Sequence, residues 1–223
     1  MADSHPLIAL IHATPASAGP AHQAFAAEFS EARLWNLLDD RLISEAEAAG
    51  GLTAALRLRM QTLIGYALSG HADAILLTCS MYGPVAYELA ATAPVPLLAS
   101  DQALFDEVGR RGVARVAVLG PVRTGVDDTV QRLRSHLGAA APAISGSVVE
   151  GARAATTADD PAALDKAVTE AALGAQDDAD LIVLGQFSIS PAQPAAQRAT
   201  GIPVLSPPHL AAQTLREHFG AAR

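Results

Sequence analysis

One thiol and the residues around it carry the chemistry that this sequence offers. Cys79 is the only cysteine among 223 residues. It stands in the stretch Asp73-Ala74-Ile75-Leu76-Leu77-Thr78-Cys79-Ser80-Met81-Tyr82-Gly83-Pro84. The apolar run Ala74 to Leu77 reads as a buried parallel strand, and Gly83-Pro84 opens a helical stretch. Open α/β sheets put their ligands at the carboxyl ends of strands, next to helix N-termini. A thiol placed there meets unpaired backbone N–H groups and a positive dipole end, and both favour the thiolate. A free cysteine is more often a small buried hydrophobe. The strand-end position, flanked by Thr78 and Ser80, shifts the reading toward an acid, a base or a nucleophile.

The same stretch recurs 107 positions later as Asp180-Leu181-Ile182-Val183-Leu184-Gly185-Gln186-Phe187-Ser188-Ile189-Ser190-Pro191. Asp73 meets Asp180, Leu77 meets Leu184, Pro84 meets Pro191, and Cys79 meets Gln186. Val95-Pro96-Leu97-Leu98 aligns without a gap on Ile202-Pro203-Val204-Leu205, and Ile8 to Ile11 aligns one position off that offset on Val116 to Leu119. Two copies are too few for a solenoid. They describe two related α/β lobes whose strand-end loops, after His12, Cys79, Gly120 and Gln186, are expected to face one another across a cleft.

Those loops carry the hydroxyls Thr14, Ser17, Thr78, Ser80, Thr124 and Ser188. With loop N–H groups they could hold a carboxylate, although each taken singly is explained by capping or turn formation. His12 ends the first strand and His209 begins the last helix. Either could be a general acid or base, or a satisfied structural histidine, which is the better reading for His209. Arg123 in its loop could pair with a substrate carboxylate or be solvated. Asp39, Asp40 and Glu150 also follow strands, where caps and surface charge explain them.

Composition narrows the classes. Half of the residues are hydrophobic and only 4% aromatic, and the formal net charge is −8. An acidic chain poor in aromatics offers no platform for nucleic acid and no attraction to an anionic membrane. One cysteine excludes an internal disulfide and a cysteine-based metal cluster, and the seven histidines show no pair at metal-ligand spacing on a common helix. No P-loop, dinucleotide fingerprint or Gly-x-Ser-x-Gly elbow is present. The N-terminus, Met1-Ala2-Asp3-Ser4-His5-Pro6, lacks a basic segment, and Leu7 to Ile11 is too short for a signal peptide or a span. A cytoplasmic protein is expected.

The elements that must position the thiol follow in order. Strands are expected at Leu7–Ile11, 32–38, 74–77, 94–98, 116–119, 144–149, 181–184 and 202–205. Helices are expected at 21–29, 53–69, 84–91, 101–110, up to 137 behind a cap at Thr124 or Asp127, 160–175, 191–199 and 208–219, while Leu42 to Ala49 is ambiguous. Alternation of this kind gives an α/β fold with parallel sheets and right-handed crossovers. The expected layout is a first lobe over 1–100, a second over 101–205, and a terminal helix over 206–223 that packs back on the first lobe.

This arrangement resembles the aspartate/glutamate/hydantoin racemase superfamily over nearly the whole chain. The carriers are Leu-Thr-Cys-Ser at Cys79, Leu-Gly-Gln-Phe-Ser at Gln186, and the loops at His12 and Thr124. The resemblance implies a cofactor-independent enzyme in which paired cysteines, one per lobe, face opposite sides of a substrate α-carbon. Backbone amides and hydroxyls would bind the carboxylate. Cys79 matches the first-lobe cysteine; Gln186 stands where the second belongs, and an amide does not exchange a proton near neutral pH. Arylmalonate decarboxylases in the superfamily keep a single cysteine, in the other lobe. Maleate isomerases use the first-lobe cysteine as a nucleophile on an alkene, with a partner cysteine opposite.

The resemblance therefore implies an enzyme acting on a small carboxylate with Cys79 as acid, base or nucleophile. His12, Thr14, Ser17, Thr78, Ser80 and Thr124 would bind the substrate, and Gln186, Phe187 and Ser188 would line its far side. Single-face chemistry, such as isomerisation or decarboxylation, suits one thiol better than symmetric racemisation. A non-catalytic carboxylate binder that kept the cleft is the alternative. No cofactor or metal is implied, and an alanine-rich helical surface would allow a homodimer.

Overall fold

The apolar runs form two four-stranded parallel sheets in a computed structural model, which describes residues 5–221. Residues 1–4, on which part of the N-terminal reading rests, lie outside the described residues. The first half contains β1 (Leu7–His12), α1 (Ala18–Glu28), β2 (Arg33–Leu38), α2 (Leu42–Ala48), α3 (Ala54–Ser69), β3 (Ala74–Leu77), α4 (Gly83–Ala90) and β4 (Leu97–Leu98). The chain continues through α5 (Gln102–Arg111), β5 (Arg115–Gly120), α6 (Arg123–Leu137), β6 (Ala143–Val148) and α7 (Ala152–Thr157). It ends in α8 (Pro161–Ala175), β7 (Leu181–Leu184), α9 (Gln193–Thr200), β8 (Val204–Leu205) and α10 (Pro207–Ala221). The sheet orders are β2-β1-β3-β4 and β6-β5-β7-β8, so the repeat in sequence is a repeat in topology.

The register explains which residues the repeat keeps. Asp73 Oδ2 accepts the Leu7 N–H at 2.7 Å, and Asp180 Oδ2 accepts the Arg115 N–H at 2.9 Å. Each carboxylate thus fixes where the neighbouring central strand begins. At the other end the Thr78 N–H donates to the Ile11 carbonyl at 3.0 Å, and the Gly185 N–H to the Leu119 carbonyl at 2.8 Å. β3 and β7 are buried at every position, as strands covered on both faces must be.

Helix starts follow local chemistry. Thr53 Oγ1 accepts from the Leu56 N–H, and Asp160 Oδ1 from the Ala163 N–H. Two expectations are corrected. α6 starts at Arg123 behind Val122, which makes no side-chain cap, so neither Thr124 nor Asp127 caps it. Pro191 lies in a 3-10 segment, Phe187–Ala192, and α9 starts only at Gln193. The ambiguous stretch after Asp40 is helix α2, whose Leu42 and Ala46 are buried.

The chain divides into two compact units, one running to Gln102 and resuming at Ala211, the other from Ala103 to Leu210. Within the first, Phe219 of α10 lies 6.2 Å from Phe29 between ring centres, and Gln213 bonds Glu28. Within the second, Leu104, Phe105 and Val108 of α5 pack on Val116, Val118, Leu181 and Val183. No described helix is long and apolar enough to cross a membrane.

Candidate functional site

The carboxyl ends of β1 and β3 are joined by a buried polar knot. His12, the last residue of β1, is 0% exposed, and Ser17 and Thr78 are 2% and 3% exposed. His12 Nδ1 lies 2.8 Å from Thr78 Oγ1 and 3.0 Å from Ser17 Oγ, and the two hydroxyls are 2.9 Å apart. His12 Nε2 lies 3.0 Å from Asn36 Oδ1, which is also 2.9 Å from Nε2 of the exposed His22. An amide oxygen only accepts, so His12 carries its proton on Nε2 and leaves Nδ1 as an acceptor. That nitrogen accepts from one of the two hydroxyls beside it, Thr78 or Ser17; the Thr78 hydroxyl also reaches the Ile11 carbonyl at 3.2 Å, and that of Ser17 the Thr14 carbonyl at 3.0 Å. Burial holds His12 below its ordinary pKa; the Asn36 hydrogen bond opposes this and His22 adds to it.

Cys79 follows the knot directly. Its backbone is extended (φ −121°, ψ 121°), and it heads a 3-10 turn, Ser80–Tyr82, that runs into α4. The residue is half-buried and packs against the first unit's core. The Tyr82 N–H returns to the Cys79 carbonyl at 3.1 Å. The Tyr82 side chain is buried and donates to the Leu42 carbonyl at 2.8 Å, which ties the turn to α2. Burial first, and the neighbouring Cys79 second, push Tyr82 up to about 12. Arg59 secures the same region through a two-pronged ion pair with Asp39 and a contact with Glu45 at 3.0 Å.

The second unit fills the equivalent place differently. Aligning β1 on β5 and β3 on β7 sets His12 on Gly120, Ser17 on Gly125, Thr78 on Gly185 and Cys79 on Gln186. All three knot residues are thus glycines there. The Gln186 side chain turns in to occupy the space. A Cβ on Gly120 would stand 2.6 Å from Gln186 Oε1, and one on Gly125 2.9 Å from its Nε2. Nε2 reaches Thr129 Oγ1 at 3.5 Å, whereas Oε1 is buried without a hydrogen-bond partner among the described residues. The Gln186 backbone is extended like that of Cys79.

The expected site residues differ in exposure and in partners. His12, Ser17 and Thr78 are brought together, but under the surface: both His12 nitrogens are engaged, so its expected contact with a ligand becomes a contact with protein. Thr14 and Ser80 remain half-buried at the strand ends of the first unit, with Thr14 capping the turn Pro15–Ser17. Thr124 is exposed in the first turn of α6 rather than in a loop, because the helix starts at Arg123. Phe187 is 3% exposed and Ser188 half-buried. Arg123 turns to the Gly146 carbonyl at 3.3 Å and to Asp127 at 3.5 Å. Sequence reading missed Asn36, His22 and the three glycines; a lone asparagine inside the apolar run Leu34 to Leu38 was the available signal. Among the described residues, no group of three or more His, Cys, Asp or Glu could hold a metal ion.

A family model described as Asp/Glu/Hydantoin racemase matches residues 9–215. No curated protein matches the sequence. Solved structures similar to this fold include the aspartate racemase of Picrophilus torridus, 15% identical, with a TM-score of 0.72 and 96% of this chain and 94% of that one covered. The allantoin racemase of Klebsiella pneumoniae is 12% identical, with a TM-score of 0.73 and 97% and 89% covered. The glutamate racemase of Francisella tularensis, in complex with D-glutamate, is 10% identical, with a TM-score of 0.68 and 99% and 82% covered.

Two outcomes are expected from this geometry. Gly120→Ala should destabilise the protein by about 1–3 kcal/mol in denaturant unfolding, because the new methyl group meets Gln186 Oε1 and Val126. Adding Gln186→Ala should recover part of that loss; strictly additive effects would contradict the packing. The depressed His12 pKa gives a stability contribution that is complete above the unfolded value of 6.5 and is lost as pH falls through the lower folded value. Unfolding measured between pH 7 and 5 should therefore fall more steeply for the wild type than for His12→Asn.

Proposed function

Since the chain belongs to the Asp/Glu/hydantoin racemase family, we propose that it is a cofactor-independent, racemase-like enzyme, of isomerase or decarboxylase type, acting at the α-carbon of a small carboxylate. Cys79 is its acid–base group. The carrying observation is the position of that thiol: half-buried, at the carboxyl exit of β3, heading the helical run into α4. A thiolate there removes the α-proton, and the electron pair left on carbon spreads into the carboxylate. Thr14, Ser80 and nearby backbone N–H groups donate to the carboxylate oxygens, where that charge collects. The thiol then returns a proton to carbon.

One thiol with an amide at the repeat-equivalent position favours proton transfer on a single face. Gln186 neither takes nor gives a proton near neutral pH, and its side chain packs against Gly120 and Gly125. Exchange with retention, isomerisation, or decarboxylation fits this arrangement. In decarboxylation the bond from the α-carbon to a carboxylate carbon breaks, CO2 leaves, and Cys79 protonates the resulting carbanion. We read the protein as cytoplasmic and able to form a homodimer. A second reading, a non-catalytic carboxylate binder, draws on the same Gln186 observation.

The test is NMR in D2O with amino acids, malonates, ureides and unsaturated diacids. One class should acquire deuterium on carbon or lose CO2, and Cys79→Ser should slow this by about 10²–10⁴-fold. Gln186→Cys, which restores a thiol at the equivalent position, should increase loss of chirality. Binding without exchange would favour the binder, and full activity in Cys79→Ser would sink the acid–base role.

A further inference from the structure

We propose that His12 is a positioning residue that acts on Cys79 through Thr78 and Ser17. The inference rests on Cys79 as the reactive group, but not on turnover of any substrate. Three observations carry it. His12 is fully buried with both ring nitrogens engaged, so it cannot touch a ligand. Its Nδ1 holds the hydroxyl of Thr78, the residue bonded to Cys79, and lies beside that of Ser17, which ends the loop after β1. The repeat supplies an internal comparison: the unit without the thiol has also replaced His12, Ser17 and Thr78 by Gly120, Gly125 and Gly185. The parallel sheet therefore does not need the knot. It accompanies the thiol.

The polarity of the knot has a direction. His22 and Asn36 lie at its solvent end, and both are exposed. Asn36 Oδ1 sets the proton on His12 Nε2, which makes Nδ1 an acceptor for the Thr78 and Ser17 hydroxyls beside it, and the Thr78 hydroxyl is held between the ring and the Ile11 carbonyl. A fixed Thr78 side chain, together with the Thr78 N–H on the Ile11 carbonyl, fixes the peptide that leads into Cys79. Cys79 is thereby held at the head of the 3-10 turn Ser80–Tyr82. The half of the ring facing Thr78 is the half that matters for reactivity, and the half facing Asn36 only orients it.

Three substitutions separate these halves. His12→Asn places an amide oxygen close to where Nδ1 was and can still accept from Thr78. His12→Gln reaches instead toward Asn36, and His12→Leu does neither. The readout is the rate of Cys79 alkylation by iodoacetamide against pH, which reports thiolate formation whether or not a substrate is known. The midpoint should stay near the wild-type value in His12→Asn and rise by about one unit in His12→Gln and His12→Leu, with alkylation at pH 7 about tenfold slower. Thr78→Val should reproduce that rise, and it keeps the test open if His12→Leu fails to fold. Wild-type midpoints in His12→Gln and Thr78→Val would overturn the proposal, as would a His12→Asn profile no better than that of His12→Gln. Failure of the proposed reaction alone, with the shifts present, would leave the positioning role standing and remove only the catalysis.

Discussion

The Thr78 hydroxyl, hydrogen-bonded to His12 Nδ1 and to the Ile11 carbonyl, joins the ends of the two central strands of the first unit. Everything assigned to the site depends on it. A buried polar cluster is stable only when each member is satisfied, because one lost partner leaves an unpaired group in a medium of low dielectric. His12, Thr78, Ser17 and Asn36 meet that condition together. Their geometry is consequently rigid where a loop would ordinarily be loose, and Cys79 is the next residue along the chain. Tyr82 and the Arg59–Asp39 pair brace the far side of the same turn.

The second unit shows what the same topology becomes when the thiol is replaced. Strand order, the aspartate at the head of the core strand and the extended residue after it are all kept. The interior at the strand ends is rebuilt with glycines, and the Gln186 side chain fills the space that they leave. Its buried, unpartnered Oε1 marks an imperfect solution by the usual standard for native interiors. The halves diverge at the outer strand as well. Where β2 has Trp35 and Leu37, β6 has Ser145 and Ser147, which line a cavity of about 370 Å³.

Much of the fold was legible because it rests on features that one residue states by itself. Apolar runs such as Ala74–Leu77 and Leu181–Leu184 announce buried strands, Asp160-Pro161 announces a helix, and the repeat follows from matching Asp73 with Asp180. The site was legible in position but not in direction. Ser17 and Thr78 read as hydroxyls on a strand-end loop, yet whether they point to a ligand or into the knot depends on how β1 registers against β3. Thr124 read as a loop residue because Gly120-Pro121 suggests a turn, whereas α6 takes over at Arg123 without a capping side chain. Nothing local to Gln186 reveals that Gly120 and Gly125, more than sixty residues earlier, open the space its side chain fills.

The most direct test of the account is the pH dependence of wild-type Cys79 alkylation, measured with and without a panel of small carboxylates. With one thiol in the chain the reading is unambiguous. A midpoint well below the ordinary thiol value of about 8.5, with protection by one class of carboxylate, is the predicted result. A thiol that titrates near 8.5, or resists alkylation throughout, and ignores every carboxylate would contradict the assignment of Cys79 as the acid–base group.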